Sequence, residues 1–586
     1  MMTHIYTAFN IISIILVSLI CIIALSGIAH RLRIIPGSIT EKSMRFFSFP
    51  EQFVCKYHLF FLVLIFSVFI FSRLYLLGSI PGGIHLDEIG ISYDAYSLLN
   101  FGTDRFGRHF PVYPTNYGDG NSAMYTYLEL LVLRFVPFTV KTARIPAVLC
   151  SIPCFFAAYG IEYEIYRNKT SALCGPLFVT IIPYFFASQR WGLDCNLMLD
   201  FITISLYFLL SAIRRKKISW YIISGFMFGI TLYTYILSYL MIPLFIILLG
   251  VYMLIVRKFN LRCFIALCIP VALLGLPLLA EQLVNMGLIQ EFTFFGSDFF
   301  ALPDYRSGEI SLKNIPGNLT VILKLMLGGD PLTFNSFHEF GPLYRCMFPL
   351  VITGLISSII SLRHKSVSED HPLIIICLYG LAVYMTALLL DGFNTYNSNS
   401  IYIVFSVLAS EGICYVMRSF DNTATDDPDI RSLFAVYILL GTLLVSFLLY
   451  SEFYFRRQAN VYGIHPVFVS TEPGDIINYA RNTYDPGHKK NIYIEVNYSE
   501  RDYSDLTVSL FSHIDPSEWR AHEERKAAGI KPDHIGNIYF TFPEDFNESE
   551  DAIYILGTDW GHIASYLMSI GYASDTNFPG YTIIYR

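Results

Sequence analysis

Two nearby stretches, FFLVLIFSVFIFSRLYLL (residues 60–77) and GGIHLDEIGISYDAYSLLN (residues 82–100), decide how this chain is expected to fold. The first is a continuous apolar run, close to the ~20 residues that cross a hydrocarbon core as a helix. The second places Asp87 and Glu88 side by side only a few residues later. Two adjacent carboxylates so near a membrane surface raise the question of what they do there.

Apolar runs of this kind recur along all 586 residues, of which 54% are hydrophobic and 15% charged. The runs are continuous rather than alternating, which predicts membrane-spanning helices and not a barrel. About twelve spans are expected, near residues 10–29, 58–78, 143–163, 171–188, 197–213, 218–238, 240–256, 261–281, 341–362, 372–391, 400–417 and 432–450. The first run is interpreted as a retained helix, not a signal peptide.

Lys and Arg set the orientation of the spans. Short basic connections, such as Arg214 to Lys217, alternate with connections that are poor in Lys and Arg, such as residues 189–196. The basic set is therefore expected in the cytoplasm and both termini outside, provided that the segment 123–138 does not cross. Outer loops are then predicted at 79–142, 189–196 and 282–340.

Three domains follow from this pattern. Residues 1–57 are expected to form an extra N-terminal transmembrane helix with a basic cytoplasmic loop, and residues 58–451 to form the main transmembrane domain. Residues 452–586 alternate between strand-like runs (KNIYIEV, IGNIYFTF, AIYILG, YTIIYR) and helix-like runs (EPGDIINYARNTY, WGHIASYLMSIG). That alternation predicts an extracytoplasmic α/β domain. It contains no cysteine, and the eleven cysteines elsewhere are interpreted as small hydrophobic residues.

The acidic pair has two compatible interpretations. Asp87 is placed to cap a helix that begins there, with Glu88 in the first turn, where negative charge is favoured. Ile89, Tyr93 and Tyr96 would share one side of this helix, so it can lie along the membrane surface as an amphipathic element. The functional interpretation makes the two carboxylates part of an active site.

The order of several motifs favours the functional interpretation. Asp87-Glu88 is followed by the aromatic helix start Tyr125-Thr126-Tyr127-Leu128, by Arg144-Ile145-Pro146-Ala147, and by a turn with Arg190 and Asp194. This ordered set resembles the GT-C fold glycosyltransferases of the protein O-mannosyltransferase and aminoarabinose-transferase type (glycosyltransferase family 39). The resemblance covers residues 58–215 best and the remaining spans loosely.

The resemblance implies transfer of a sugar from a polyprenyl-phosphate donor to an acceptor hydroxyl on the outer face, with inversion. Asp87 would be the general base and Glu88 a residue that positions it or the acceptor. The donor phosphate would contact Arg144, Arg190, Arg345 and Asn121, because arginine suits a leaving group that gains negative charge. Each arginine has the alternative of snorkelling to the membrane interface. No cofactor is expected to be required, and no metal.

Further candidates line the predicted outer loops. Asp194 is an acceptor contact, a metal ligand or a helix cap, and Tyr235 a sugar-stacking residue or part of an aromatic belt. Tyr125, His338 and Glu339 complete the predicted acceptor and substrate contacts. The sequence departs from the family at Asn121, where a basic residue and two prolines are usual, and at Gly90, where a basic residue is usual near the acidic pair.

The expected partners are the lipid-linked donor, a glycan, lipid or protein acceptor, and membrane lipids, with no nucleic acid. These features fit a multi-pass protein of a bacterial plasma membrane. It would be mannosyltransferase-like and act in the cell envelope, with protein glycosylation as one use. A secondary transporter has a similar span count, but transporters place ionisable residues at the midplane. A polymerase or ligase of other polyprenyl-linked glycans is the second alternative.

Overall fold

The computed structural model describes residues 2–26, 53–304, 310–328, 330, 332, 336–364, 372–392, 394–420, 430–463, 467–495, 501–530, 533–543, 546–547 and 550–586. These residues group by their contacts into two compact units. The first comprises residues 1–77, 147–279 and 306–457, and the second comprises residues 78–146, 280–305 and 458–586. The three predicted domains remain a prediction. The basic loop expected before residue 57 lies mostly outside the described residues, as does Lys365.

Helices make up nearly all of the first unit. In chain order the helices of the protein up to residue 457 are α1 (Met2–Leu25), α2 (His58–Leu74), α3 (Leu86–Phe101), α4 (Ala123–Leu133), α5 (Val140–Tyr166), α6 (Cys174–Ile181), α7 (Pro183–Ser188), α8 (Asp194–Arg215), α9 (Ile218–Thr231), α10 (Ser238–Ile255), α11 (Leu261–Asn285), α12 (Ile315–Asn318), α13 (Val321–Met326), α14 (Met347–His364), α15 (Pro372–Leu389), α16 (Ile401–Phe420) and α17 (Ile430–Arg457). Of these, α3 and α4 belong to the second unit.

Eight of the described helices are long and apolar enough to cross a membrane: α1, α5, α8, α10, α11, α15, α16 and α17. Shorter apolar helices occupy four other predicted spans. The prediction of a polytopic helical membrane protein is therefore confirmed. Helix α4 has 11 residues, about 17 Å at 1.5 Å per residue, which is too short to cross the hydrocarbon core and agrees with the predicted non-crossing segment.

The predicted single span at 171–188 is wrong in one respect. Helix α6 ends at Ile181, and α7 begins at Pro183 after Ile182 takes an extended conformation with ψ 130°. A residue before proline is pushed out of the helical region by the proline ring. The segment is therefore two short helices rather than one continuous span.

Close approach of small residues holds the helices of the first unit together. A Cβ atom on Gly354 would lie 1.9 Å from the Leu408 carbonyl oxygen, and one on Gly412 would lie 2.2 Å from the Leu350 oxygen. Helices α14 and α16 therefore pack backbone to backbone. Lipid offers no hydrophobic drive between helices, so such contacts at small residues are the usual way to associate in a membrane.

The C-terminal part of the second unit is an α/β domain, as predicted. Its strands are β6 (Phe468–Val469), β7 (Asn491–Ile494), β8 (His534–Ile535), β9 (Ile538–Tyr539), β10 (Ala552–Gly557), β11 (Ala573–Asp575) and β12 (Tyr581–Tyr585), and its helices are α18 (Glu472–Tyr484), α19 (Arg501–Phe511), α20 (Pro516–Ala527) and α21 (Gly561–Ser569). Six strands form a mixed sheet in the order β11-β12-β10-β7-β9-β8. Strand β10 is parallel to β7, and β7 is parallel to β9.

This domain also holds the acidic helix α3. Strand β1 (Ile84–His85) pairs antiparallel with β6, with Ile84 opposite Val469. Ile89 and Tyr93 are buried in one apolar cluster with the isoleucines of the sheet, and the Tyr93 hydroxyl donates to the Ile514 carbonyl oxygen at 3.1 Å. The expectation that these side chains lie along the membrane surface is therefore wrong, because the C-terminal domain covers them.

Candidate active site

The first turn of α3 is capped by a histidine. The Nδ1 atom of His85 accepts a hydrogen bond from the Asp87 backbone N–H at 3.1 Å, and the Glu88 carboxylate accepts one from the His85 backbone N–H at 3.0 Å. Each side chain satisfies a backbone donor that the helix leaves without a partner. The prediction that Asp87 caps the helix is wrong. Asp87 is the second residue of α3, and its carboxylate is left out of the cap.

Glu88 forms a buried ion pair with Arg144. Its two carboxylate oxygens accept from Nε at 3.0 Å and from Nη2 at 3.1 Å, and the side chains are 1% and 0% exposed. Arg144 also donates to the carbonyl oxygens of Pro81 and Gly83, at 2.8 and 2.9 Å. A fork of donors held in this way fixes the loop that precedes α3. Arg144 was predicted to contact phosphate, but its guanidinium is directed to protein groups.

Asp87 has the more accessible carboxylate of the pair. Its side chain is 40% exposed, and its Oδ1 atom accepts a hydrogen bond of 2.8 Å from the Asn116 amide. The other end of that amide, Oδ1 of Asn116, accepts from Nη2 of Arg105 at 2.6 Å. Arg105, Asn116 and Asp87 thus form a chain of hydrogen bonds in which the buried cation fixes the amide and the amide orients the carboxylate.

A tight hairpin supplies Asn116. Strands β2 (Thr115–Asn116) and β3 (Asp119–Gly120) pair through a two-residue turn in which Tyr117 and Gly118 have φ angles of 48° and 90°. Positive φ at both turn residues matches the twist of paired strands, and glycine takes it without strain. Another hairpin of the second unit, β4 (Phe292–Phe294) with β5 (Ser297–Phe299), lies elsewhere in the chain.

Gly90 leaves the space that Arg105 and Asn116 fill. A Cβ atom at this position would lie 2.3 Å from Asn116 Oδ1 and 2.7 Å from Arg105 Nη1. Arg105 is almost fully buried, with Nη1 3.7 Å from the Asp94 carboxylate. Burial raises the pKa of Asp94 to about 7, although Arg105 opposes this. Gly90 therefore leaves room for a buried cation next to the amide that orients Asp87.

Arg190 belongs to the first unit, where it binds the carbonyl groups at the end of a helix. It donates to the carbonyl oxygens of Ser72, Arg73 and Tyr75, at 2.5, 2.9 and 2.7 Å. These carbonyls lie at the C-terminus of α2, where a cation is favoured by the helix dipole and by the last carbonyls, which lack helical partners. The described contacts give Arg190 this role, and its phosphate contact stays a prediction.

The other predicted residues are dispersed between the two units. Asp194 is the first residue of α8 and accepts from the Cys195 backbone N–H at 2.7 Å, but Leu193 holds the cap position, so Asp194 does not cap this helix. The Tyr235 hydroxyl donates to Asn397 at 2.6 Å. Arg345 is half-buried and donates to the His338 carbonyl oxygen. In the same loop, His338 is exposed and the next residue, Glu339, is half-buried.

In the second unit, Tyr125 is fully buried and donates to the Ala143 carbonyl oxygen at 2.9 Å, directly before Arg144. Asn121 is half-buried, with its backbone N–H bonded to the Pro114 oxygen at 2.9 Å. The structure therefore brings Asp87, Glu88 and Arg144 together. Tyr125 acts on the backbone of the residue before Arg144, and its contact with a substrate stays a prediction.

Sequence reasoning missed the residues that position Asp87, namely His85, Arg105 and Asn116. The turn residues Tyr117-Gly118 signal a hairpin, but nothing in the sequence pairs that hairpin with α3. Around Asp87, the described residues contain no group of three side chains close enough to share a metal ion, and the expected absence of a metal requirement stays a prediction.

Comparisons with known proteins agree with this architecture. A sequence model of the family described as dolichyl-phosphate-mannose-protein mannosyltransferase matches residues 121–280, about a quarter of the chain. Among solved structures, ArnT from Cupriavidus metallidurans in the apo state aligns at 12% identity with a TM-score of 0.50, over 89% of this chain and 97% of that one. The chain therefore shares the GT-C fold of ArnT.

Two further structures align with this chain. ArnT from Cupriavidus metallidurans bound to undecaprenyl phosphate has 13% identity and a TM-score of 0.49, over 90% of this chain and 98% of that one. The archaeal oligosaccharyltransferase AglB from Archaeoglobus fulgidus, in complex with an inhibitory peptide and a dolichol-phosphate, has 12% identity and a TM-score of 0.47, over 91% and 75%. No curated protein sequence matches this chain. The matched segment 121–280 contains Arg144 and Arg190 but not Asp87.

Proposed function

We propose that this protein is a glycosyltransferase that moves a sugar from a polyprenyl-phosphate donor to an acceptor hydroxyl with inversion at the anomeric carbon, and that Asp87 is the general base. The donor class is supported by the matching family, whose description names a dolichyl-phosphate-linked mannose. The base is supported by the different surroundings of the two acids. Asp87 is 40% exposed, whereas Glu88 is 1% exposed and paired with a buried arginine.

In the proposed reaction the acceptor oxygen attacks the anomeric carbon while the bond from that carbon to the phosphate oxygen breaks. The phosphate leaves with the bonding electron pair, and the acceptor proton passes to Asp87. A base must lie within hydrogen-bond reach of that proton, and a well-placed base contributes roughly 10²–10⁴-fold to the rate. The hydrogen bond from Asn116 holds one oxygen of Asp87 and so restricts rotation of the carboxylate. The other oxygen, Oδ2, is left for the acceptor.

Glu88 has a positioning role in this mechanism. Its pairing with Arg144 and its acceptance of the His85 N–H hold the first turn of α3 and the loop before it. Because both charges are buried and bonded to each other, neither is available to a substrate without breaking a costly interaction. Of the two adjacent acids, Glu88 therefore holds the site in place and Asp87 reacts with the acceptor.

Arg345 is the arginine that we assign to the donor phosphate. It is half-buried, and its one described hydrogen bond goes to the His338 carbonyl oxygen, whereas Arg144 and Arg190 are fully buried against carbonyl groups. Negative charge grows on the leaving phosphate, and an arginine aimed at it lowers the barrier. Asn121, Asp194, Tyr235, His338 and Glu339 remain proposed contacts for the phosphate or the acceptor.

The proposed location is a bacterial plasma membrane, with the active site and the C-terminal domain on the extracytoplasmic side. The distribution of Lys and Arg between connections supports this orientation. Acceptor hydroxyls on a glycan, a lipid or a protein all satisfy the proposed chemistry. A transporter function has no support from the fold or the family match.

The experiment compares cell-surface glycans by mass spectrometry in a deletion strain complemented with the wild-type gene or with variants. Asp87→Asn should abolish the glycan modification while the protein accumulates normally in the membrane. Asp559→Asn, which alters an exposed acid of the same unit, is the matched control and should restore it fully. Full glycan modification in the Asp87→Asn strain would show that Asp87 is not the base.

A further inference from the structure

A second cluster of ligand-type side chains lies in the C-terminal domain, remote in sequence from Asp87. Asp505 lies on α19, and His522 and Glu523 are consecutive residues of α20. Each offers one ligand atom, and the three atoms lie within 4.8 Å of one another. His522 is 1% exposed and Asp505 is 7% exposed.

The spacing of these atoms fits a small divalent cation. The Nε2 atom of His522 lies 3.6 Å from Asp505 Oδ2 and 3.7 Å from Glu523 Oε1. Ligands of a tetrahedral zinc ion, with bonds of about 2.0–2.1 Å, lie roughly 3.3–3.4 Å apart. The same distances are too long for a hydrogen bond between the imidazole and either carboxylate.

Two of these atoms are buried and have no hydrogen-bond partner among the described residues, namely His522 Nε2 and Glu523 Oε1. Leaving a buried polar atom without a partner costs about 1–3 kcal/mol, so such atoms are rare and call for an explanation. Here both point into the space between the three side chains, where a cation would satisfy them together.

The far side of the His522 ring is oriented as in known metal sites. Its Nδ1 atom lies 3.1 Å from Asp533 Oδ1 and 3.2 Å from the His534 carbonyl oxygen. A proton on Nδ1 donated to these oxygens leaves the lone pair on Nε2 for a metal. Carboxylate or carbonyl partners of this kind fix the tautomer of metal-binding histidines and raise their basicity.

We propose that Asp505, His522 and Glu523 bind one divalent cation of the zinc class, with a water molecule completing the coordination. The ion would join α19 to α20. This part of the protein contains no cysteine, so a metal would supply a cross-link that a disulfide does not. The proposed site does not depend on the glycosyl transfer reaction.

The alternative without a metal is a network of charges. Lys526 lies on the same helix, with its Nζ 3.7 Å from Asp505 Oδ2 and its side chain 42% exposed. Burial alone would lower the pKa of His522, but the carboxylates of Asp505 and Asp533 outweigh it and raise this pKa to about 9. A protonated His522 and Lys526 would then balance the acids. Metal binding would displace that proton and turn Lys526 to solvent.

The test uses the full-length protein in detergent, purified through a tag without histidine, stripped with a chelator and then titrated with zinc. The proposal expects one zinc per chain by mass spectrometry of the metal and a rise in the thermal unfolding temperature on adding zinc. His522→Gln and Glu523→Gln should remove both effects. Asp533→Asn, which alters only the orienting partner, should weaken zinc binding by about 10–100-fold.

His562→Gln is the matched control, because His562 is exposed on α21 and does not belong to the cluster; it should bind zinc as the wild type does. If His522→Gln does not fold, the half-exposed Glu523→Gln variant decides. A wild-type protein that takes up no zinc, or a Glu523→Gln variant that binds zinc with unchanged affinity, overturns the proposal and leaves the charge network as the explanation.

Discussion

Gly90→Ala should damage the active site although it changes only one hydrogen to a methyl group. The new Cβ would lie 2.3 Å from Asn116 Oδ1 and 2.7 Å from Arg105 Nη1. Carbon and oxygen atoms in contact prefer separations above 3 Å, so the Asn116 amide must move by about 1 Å. That movement takes the amide away from Asp87, which it holds at 2.8 Å.

Opposing terms set the size of the stability effect. Alanine in a helix interior is favoured over glycine by about 1 kcal/mol. Overpacking costs typically about 1–3 kcal/mol, and the hydrogen bond lost between Asn116 and Asp87 about 0.5–1.5 kcal/mol. The net expectation is a loss of about 1–3 kcal/mol in the free energy of unfolding. A displacement of about 1 Å in a catalytic group costs on the order of 10²-fold in rate, so kcat should fall by about 10–100-fold.

The assay measures thermal unfolding in detergent and transfer kinetics with a polyprenyl-phosphate-linked sugar. Gly441→Ala is the matched control: Gly441 lies inside helix α17, and a Cβ there meets nothing within 4 Å. It should be as stable as the wild type or more so, with unchanged kcat. A Gly90→Ala protein as stable and as active as Gly441→Ala would refute the account of how Asp87 is held.

Three further outcomes are expected. Arg144→Met strands the Glu88 carboxylate in a buried site and should cost about 3–5 kcal/mol of unfolding free energy in a denaturation experiment. Burial lowers the pKa of His85 below its ordinary value, so on acidification the unfolded chain binds the extra proton before the folded protein does. The free energy of unfolding should therefore fall as the pH drops below about 6.5, by at most ~1.4 kcal/mol per pH unit. Thermal unfolding at several pH values tests this. Arg345→Gln should raise the KM for the donor while the unfolding temperature stays unchanged, as steady-state kinetics would show.

Each of these has its own control. Glu88→Gln together with Arg144→Met removes both charges and should recover part of the stability that Arg144→Met loses. His85→Asn keeps a capping side chain without a titrating ring, so its stability should vary less with pH in this range; an unchanged pH dependence would contradict the role of His85. An unaltered KM for the donor in Arg345→Gln would show that Arg345 does not bind the donor phosphate and that one of the remaining candidates does.

The sequence predicted the membrane helices well because a continuous apolar run of sufficient length has one solution in lipid. The alternation of strands and helices after residue 452 was equally informative, and α18 spans the same residues as the helix-like run EPGDIINYARNTY. The break between α6 and α7 was missed, although Pro183 signals it, because composition alone made the segment look like one span.

The site was harder to predict because its contacts are long-range. Glu88 and Arg144 are 56 residues apart, and Asp87 and Asn116 are 29 apart. Residue types show that a carboxylate and an arginine are present, but only the fold decides which acid is buried and neutralised and which meets solvent. The cap at His85 was missed for a different reason, since histidine is not among the usual capping residues.

The central claim is that Asp87, and not Glu88, takes the acceptor proton. The most direct measurement is the single-turnover rate of sugar transfer by purified Asp87→Asn enzyme, with donor binding measured in the same preparation. The account predicts normal donor binding and a rate lower by about 10²–10⁴-fold, since asparagine keeps the size of the side chain and loses the base. Transfer by Asp87→Asn at the wild-type rate would contradict it.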